Sequence, residues 1–455
     1  MMSKKTAITL FGGVNEIGGN KVLLQDKDTR VFLDFGMSFS KQAEYFAGYL
    51  CPRSVNGAGD FLEFGLLPNM EGIYNKDAIK NTKIKYREPE IDGIILTHAH
   101  LDHVGYLPFV HEEIPVYCGE GTKIIIDAME ESSRINLGQH KYKTFRTGRK
   151  IRIGSLEIEP VHVDHSIPAA YGFIIHTSKG AIAYSGDFRI HGPLRDMTWE
   201  FAEKAGKYDV EIMLSEGTRI SPEETCEIHS ESKVREESNE VVASAPKLVI
   251  ASFYSRDVDR FKTFYEIAKK NERKFVIPIK LAHFLHKLRE DPRLKIPDVI
   301  KDETVVFYKK RKRSGEFQPK DYYVWERPFL DRAENFNYVR KNQSKTIFDL
   351  DLVGFTELVD IKPSAGGEFI HSMSEPFSEE DIDTRVLHNW LDHFGLKFHQ
   401  IHASGHCPSR DLAKVVNKIQ PRKLVPIHTE HPKLFKKLFR DYSVELALEG
   451  EEILL

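Results

Sequence analysis

The sequence is short of closely spaced cysteines, of long apolar runs and of net positive charge, and each shortage removes a class of protein. Its four cysteines, Cys51, Cys118, Cys226 and Cys407, lie far apart and form no CxxC pair. Neither a disulfide framework nor a thiolate zinc site is therefore expected, and a reduced cytoplasm is the expected setting. No apolar stretch reaches the length of about 18 residues that a membrane span needs, and the opening MMSKKTAITLFGG breaks off at glycines, so neither insertion nor secretion is indicated. A formal net charge of −3 excludes a surface positive all round, and any nucleic-acid binding must come from a local patch. There is no repeat of fixed period and no low-complexity tract.

What is present is a chain of 455 residues, more than one hydrophobic core usually serves, so two domains are expected. Short aliphatic runs such as RVFLDFG, DGIILTH, LEIEPVHV and AIAYSGD recur through the first 190 residues, broken by glycines, and predict a strand-rich half. Between about residues 217 and 397 helical patterns (SKVREESNEVVASA, DVDRFKTFYEIAKK) alternate with apolar strands (KLVIASF, KFVIPIK), which predicts a second α/β domain with a mainly parallel sheet. An amphipathic helix, SRDLAKVVNKIQP, and a strand ending in histidines, KLVPIHTEHP, follow. Residues 40–88 and 308–346 read as long insertions. The second holds the basic run Lys309, Lys310, Arg311, Lys312 and Arg313, for which a solvated loop is preferred over direct phosphate contact.

The strongest signal is ILTHAHLDHVGYLP. His98 and His100 are two apart at the end of an apolar strand, so their imidazoles point the same way and can share one cation. Asp102 and His103 fall where the chain turns, with VGYLPFV expected to start a helix, and can reach a second cation. Imidazole plus carboxylate suits zinc or a similar divalent ion. Further ligands are offered at strand ends: His165 before a turn, preferred over His162, and Asp187 in AIAYSGDFR, placed to bridge both ions. His428 and His229 compete for the remaining place, and His428 is preferred because a strand end fixes a ligand better than a loop does. Asp34 and Glu216 also follow apolar strands and are cast as groups that orient histidine ligands through the free ring N–H. The glycines Gly12, Gly13, Gly18 and Gly19 lack nucleotide-loop spacing and are read as a structural turn.

Together the HxHxDH box and the segments GGVNEIGGN (12–20), LDFG (33–36), HSIP (165–168), GAIAYSGDF (180–188), HASGH (402–406) and PIHTEH resemble the metallo-β-lactamase superfamily, in its ribonuclease J-like β-CASP branch. The resemblance implies an α/β fold: a metallo-β-lactamase αββα sandwich, residues 1–216 and 398–455, with an inserted β-CASP domain over 217–397 that closes over the core to leave a nucleic-acid groove. It implies one metal on His98, His100, His165 and Asp187 and another on Asp102, His103, Asp187 and His428. Zn²⁺ is the expected ion, with Mn²⁺ as the alternative. It also implies that Glu216, His406 and His428 are the branch's signature positions, with His406 contacting the scissile phosphate or protonating the leaving oxygen. His402, Ser404, Gly405 and His406 would form a phosphate pocket before a helix, against the alternative of a simple cap by Ser409. The expected activity is hydrolysis of single-stranded RNA from the 5′ end, with endonuclease action besides, by a homodimer. Asp102, Asp187 and His406 would carry the reaction. Ala169 after HSIP, HTEHP near the C-terminus, and Tyr254 and Arg256 depart from the family pattern, and the further C-terminal domain of many bacterial members is not expected here. The rivals are a hydrolase of a small ester, thioester or lactone on the same fold, with His229 as last ligand, and a scaffold that has lost its metals.

Overall fold

A computed structural model describes residues 5–133, 135–223, 230–374 and 382–455, which fall into two compact units. Of these residues the first comprises 5–126, 135–223 and 405–455, and the second 127–133, 230–374 and 382–404.

In the first unit, β1 (Thr6–Leu10), β2 (Val22–Asp26), β3 (Thr29–Leu33), β4 (Gly93–Ile95), β5 (Val116–Gly119) and β6 (Tyr142–Phe145) run in that order through one sheet. The second sheet begins with β7 (Ile151–Ile153), β8 (Leu156–Val163), β9 (Ala170–Thr177), β10 (Gly180–Tyr184) and β11 (Val210–Glu216). Their apolar faces meet in a single cluster in which Ile8, Val22 and Leu33 pack with Ile158, Phe173 and Leu214. On β8 the buried positions alternate with partly exposed ones over its first four residues, as a half-covered strand requires.

The second unit holds a seven-stranded sheet, every pair parallel: β12 (Val249–Ser252), β13 (Lys274–Pro278), β14 (Val305–Tyr308), β15 (Ala333–Glu334), β16 (Thr346–Asp349), β17 (Glu368–His371) and β18 (Lys397–Gln400). Parallel strands are covered on both faces, which is why VIAS and TIFD are buried throughout. The chain then returns to the first unit: β19 (Lys423–Ile427) and β20 (Ser443–Val444) extend the second sheet, and β21 (Glu452–Leu454) pairs with β1. The helix Ser409–Ile419 lays Leu412, Val415, Val416 and Ile419 into the core, one apolar stripe at helical spacing, each side chain contributing about 1.5–3 kcal/mol of burial.

Three local expectations need correction. The helix after the histidine box runs over Leu101–Val104, inside the motif, with His100 at its cap position, and Leu107–Phe109 forms a separate 3₁₀ turn. The break follows from the backbone: the Tyr106 N–H donates to the Phe35 carbonyl at 3.1 Å, and the Asp102 carbonyl that would have taken it accepts from Asn20. Ser409 is the first residue of its helix and Pro408 occupies the cap. The basic run is a loop with Arg311 and Arg313 exposed, as expected, but not a wholly solvated one: Lys312 pairs with Glu326 and lies over Tyr322 and Tyr323, and Arg311 lies over Phe336 and faces Asp360. No described helix is long and apolar enough to cross a membrane.

Candidate metal centre

The strands β8, β10, β11 and β19 point the same way, because β9 is antiparallel to both β8 and β10 and the later pairs are parallel. Their C-terminal ends therefore deliver His165, Asp187, Glu216 and His428 to one rim of the sandwich. From the facing sheet, the parallel pair β3 and β4 delivers Asp34, His98 and the residues after it.

Three groups of side chains converge there, each with ligand atoms within 4.8 Å of one another: His98, His100, His165 and Asp187; Asp102, His103, Asp187 and His428; and Glu216, His406 and His428. His98 Nε2 is 2.9 Å and His165 Nε2 3.2 Å from the same atom, His100 Nδ1. Asp187 Oδ2 lies 3.1 Å from His103 Nε2, 3.5 Å from His428 Nε2 and 3.7 Å from His98 Nε2, while its Oδ1 is buried without a hydrogen-bond partner. Converging imidazole nitrogens and an orphaned carboxylate oxygen suit a divalent cation and leave a buried polar atom unexplained without one. His162 is elsewhere: it bonds Thr147 at 2.8 Å, and its ring lies tilted against that of Tyr171 at 4.1 Å. His229 lies outside the described residues.

A second ring of contacts holds the imidazoles. His103 donates from Nδ1 to Asp34 at 2.8 Å, and Thr97 and Tyr184 donate to the same carboxylate. His165 donates from Nδ1 to the Gly405 carbonyl at 2.7 Å, and a Cβ on Gly405 would lie 2.7 Å from Ser166 Oγ. His98 meets the Thr97 hydroxyl and His428 the Thr218 hydroxyl. Asp34 and His428 both take left-handed backbone, at φ 59° and 52°, which turns each side chain inward just after its strand.

Charge divides the ring. Burial pushes His98 well below the ordinary range and His165 down to about 4, which leaves their nitrogen lone pairs free. Burial also opposes the charge on His103 and His428, but neighbouring carboxylates outweigh it: Asp187 and Asp34 raise the former, and Asp187 and Asp102 raise His428 to about 9. Burial likewise opposes the charge on Asp187, yet His428 and His103 hold its carboxyl well below the usual range. His406 is raised: burial lowers it, and the Glu216 carboxylate more than reverses that.

The glycine-rich opening does more than turn the chain. The Gly13 carbonyl accepts from the His428 N–H at 2.8 Å, and the Asn20 N–H donates to the Asp102 carbonyl at 3.1 Å, so one loop ties together both ligand-bearing segments. Gly36 abuts Asp102: a Cβ there would lie 1.6 Å from its carbonyl oxygen. Lys21, fully buried with its pKa lowered by burial to about 8, donates to the Gly19 and Gly36 carbonyls. Sequence reasoning missed Asn20, Lys21 and Gly36; a lysine directly before an apolar run and just after a glycine cluster was the available signal. Of the expected phosphate pocket, Gly405 and His406 fall in the first unit and His402 and Ser404 in the second. His402 donates to the Ser372 carbonyl, and burial with the Arg260 guanidinium pushes it down to about 3, so it is a neutral ring.

This centre on this sandwich agrees with what the matched segments of the chain resemble. Residues 73–247 match the "Beta-lactamase superfamily domain" and residues 394–446 the "Zn-dependent metallo-hydrolase RNA specificity domain". The chain accordingly carries these two domains and is similar to ribonuclease J. It is 24% identical to ribonuclease J 2 of Streptococcus pyogenes over 92% of its own length and 69% of the relative's. It is 28% identical to ribonuclease J of Helicobacter pylori over 59% of its own length, spanning 36% of that relative. With ribonuclease J of Thermus thermophilus it shares 24% identity over 97% of its length and 72% of the relative's. A crystal structure of a protein of unknown function from Enterococcus faecalis V583 has the same fold, with a TM-score of 0.77 and 24% identity over 99% of this chain and 100% of that one.

Proposed function

We propose that the protein is a metal-dependent ribonuclease that hydrolyses phosphodiester bonds in single-stranded RNA, working from the 5′ end with endonuclease action besides. The observation that carries this reading is Asp187, one carboxylate common to two His/Asp clusters, beside a Glu216–His406 pair. The assigned metal sets are His98, His100, His165 and Asp187 for one ion and Asp102, His103, Asp187 and His428 for the other, with Zn²⁺ preferred and Mn²⁺ the alternative. Bound there, divalent ions supply charge stabilisation for a phosphoryl oxygen and lower the pKa of a water to near neutrality. Asp34 holds the ring orientation of His103, and Thr218 that of His428. His406, kept protonated by Glu216, gives its proton to the leaving oxygen. The match of residues 394–446 to an RNA specificity domain, a stretch that includes His406 and His428, supports RNA as substrate. Free thiols at Cys51 and Cys407 support a reducing, cytoplasmic setting, and a homodimer is proposed from the resemblance of the sequence alone.

The test is time-resolved cleavage of 5′-labelled single-stranded RNA and its DNA counterpart with Mn²⁺ or Zn²⁺, wild type against Asp187→Ala. Mononucleotide release from 5′-monophosphate RNA, abolished in the variant, is the expected result. A protein that binds two metals and cleaves neither strand would move the reading to small esters.

A further inference from the structure

The second unit contains a cavity of about 290 Å³ that has no part in the metal chemistry. Its walls come from the helix Ile279–Leu288, from β14 and from the 3₁₀ segment Arg327–Arg332, within the insertion where the family resemblance is weakest. Trp325, Phe329 and Phe307 give it aromatic faces, and His283, Lys287 and Arg332 give it nitrogen donors.

The polar groups are not equivalent. Lys287 is neutralised by Glu131 at 2.9 Å. Arg332 lies over the Phe307 ring at 5.4 Å and is exposed, with no ion-pair partner among the described residues. His283 is 5% exposed, and its ring sits 5.1 Å from that of Trp325. Its Nε2 is 3.2 Å from a Glu131 oxygen but out of hydrogen-bond alignment, so a buried ring nitrogen lacks a directed partner. Burial lowers its pKa, so the ring is neutral and can donate or accept.

A ligand for this cavity needs a flat ring system, a polar edge for His283 and an anion for Arg332. The guanidinium fork matches phosphate oxygens, and aromatic faces stack bases without regard to sequence. An acyl chain would leave both Arg332 and His283 unanswered, and a simple anion would leave the aromatic walls bare. We propose that this cavity is a nucleotide site, taking a purine base against Trp325 with its edge on His283 and its phosphate on Arg332. The nucleotide is either a free mononucleotide or one residue of a single strand. The site goes beyond the ribonuclease reading and does not depend on it.

Titration of the full chain in EDTA with AMP, adenosine and a short oligoadenylate, followed by tryptophan fluorescence and calorimetry, tests this without turnover. AMP is expected to quench saturably and bind at least tenfold more tightly than adenosine. Arg332→Ala, a surface change, should erase that preference, and Trp325→Phe should erase the quench while calorimetry still detects binding. Saturable binding of oligoadenylate but not AMP assigns the site to a strand; AMP binding assigns it to the free nucleotide. Binding of neither, or equal affinity in Arg332→Ala, overturns the proposal. RNA cleavage, assayed separately with metal, can succeed or fail independently of either result.

Discussion

Both oxygens of the Glu216 carboxylate lie 3.2 Å from His406 Nδ1, and the same carboxylate accepts from the backbone N–H groups of Phe188 and Thr218. Fixed by the backbone, it cannot swing away from the imidazole. His406 is raised by this carboxylate against the cost of burial, so the protonated ring persists to higher pH than an ordinary histidine. If that ring is the acid of the reaction, activity is present below its raised pKa and falls as pH rises through it. Glu216→Gln removes the charge and should move the alkaline limb of the kcat/KM profile down by about one unit or more. An unmoved limb would assign the acid elsewhere.

Asp34 touches no expected cation, yet His103, Thr97 and Tyr184 all donate to it. Asp34→Asn keeps the shape and withdraws the acceptor charge that fixes the tautomer of His103. Metal affinity should fall by roughly 10- to 100-fold while the fold survives. Competition with a chromogenic chelator, alongside circular dichroism, checks both halves.

The box around His98 was legible because strand-end chemistry is local: alternation puts two imidazoles on one side, and no packing role explains three histidines and an aspartate in six positions. Asp187 and His428 were legible for the same reason, each following an apolar strand that ends in a turn. What the sequence hid is the tie between distant segments. Asn20 and Gly13 act through backbone groups, which every residue has, so nothing in their side chains announced the bonds to Asp102 and His428. The engaged state of Arg311 and Lys312 was hidden likewise, since their partners are aromatic rings and acids well separated from them along the chain.

Gly36 has an ordinary backbone conformation, so its need for glycine is purely one of space: a Cβ would lie 1.6 Å from the Asp102 carbonyl oxygen. Gly36→Ala should destabilise by about 1–3 kcal/mol and cost metal content, because the backbone that must yield carries Asp102 and His103. Gly48→Ala is the control, with nothing within 4 Å and only its positive φ to strain. Thermal unfolding and bound-metal analysis of the two should separate them, with loss of metal confined to Gly36→Ala.

The second ligand set should load in a pH-dependent way. His428 is raised to about 9 by Asp187 and Asp102 and His103 well above the ordinary range by Asp187 and Asp34, both despite burial, so at neutral pH both rings hold a proton where a cation needs a lone pair. Binding must expel those protons, and apparent affinity should climb as pH rises from neutrality to about 9. His98 and His165, already neutral, should show no such climb above about pH 6. Calorimetric titration with Zn²⁺ in buffers of different ionisation enthalpy reads the proton release. Two sites loading with the same flat pH dependence would contradict the charge division.

In the second unit Arg260 is fully buried and paired with Glu231 at 3.1 Å, while its other nitrogen donates to the Ser372 carbonyl at 2.8 Å. A third contact reaches the Ala403 carbonyl at 3.2 Å. Glu231 is itself 4% exposed, so neither charge has water to fall back on. Glu231→Ala leaves a guanidinium stranded among carbonyls and should cost about 3–5 kcal/mol, whereas removing both charges in Glu231→Leu with Arg260→Met should recover much of it. Denaturant unfolding of the two variants decides: a double variant as unstable as the single one would mean that the carbonyl contacts of Arg260, and not its unpaired charge, set the loss.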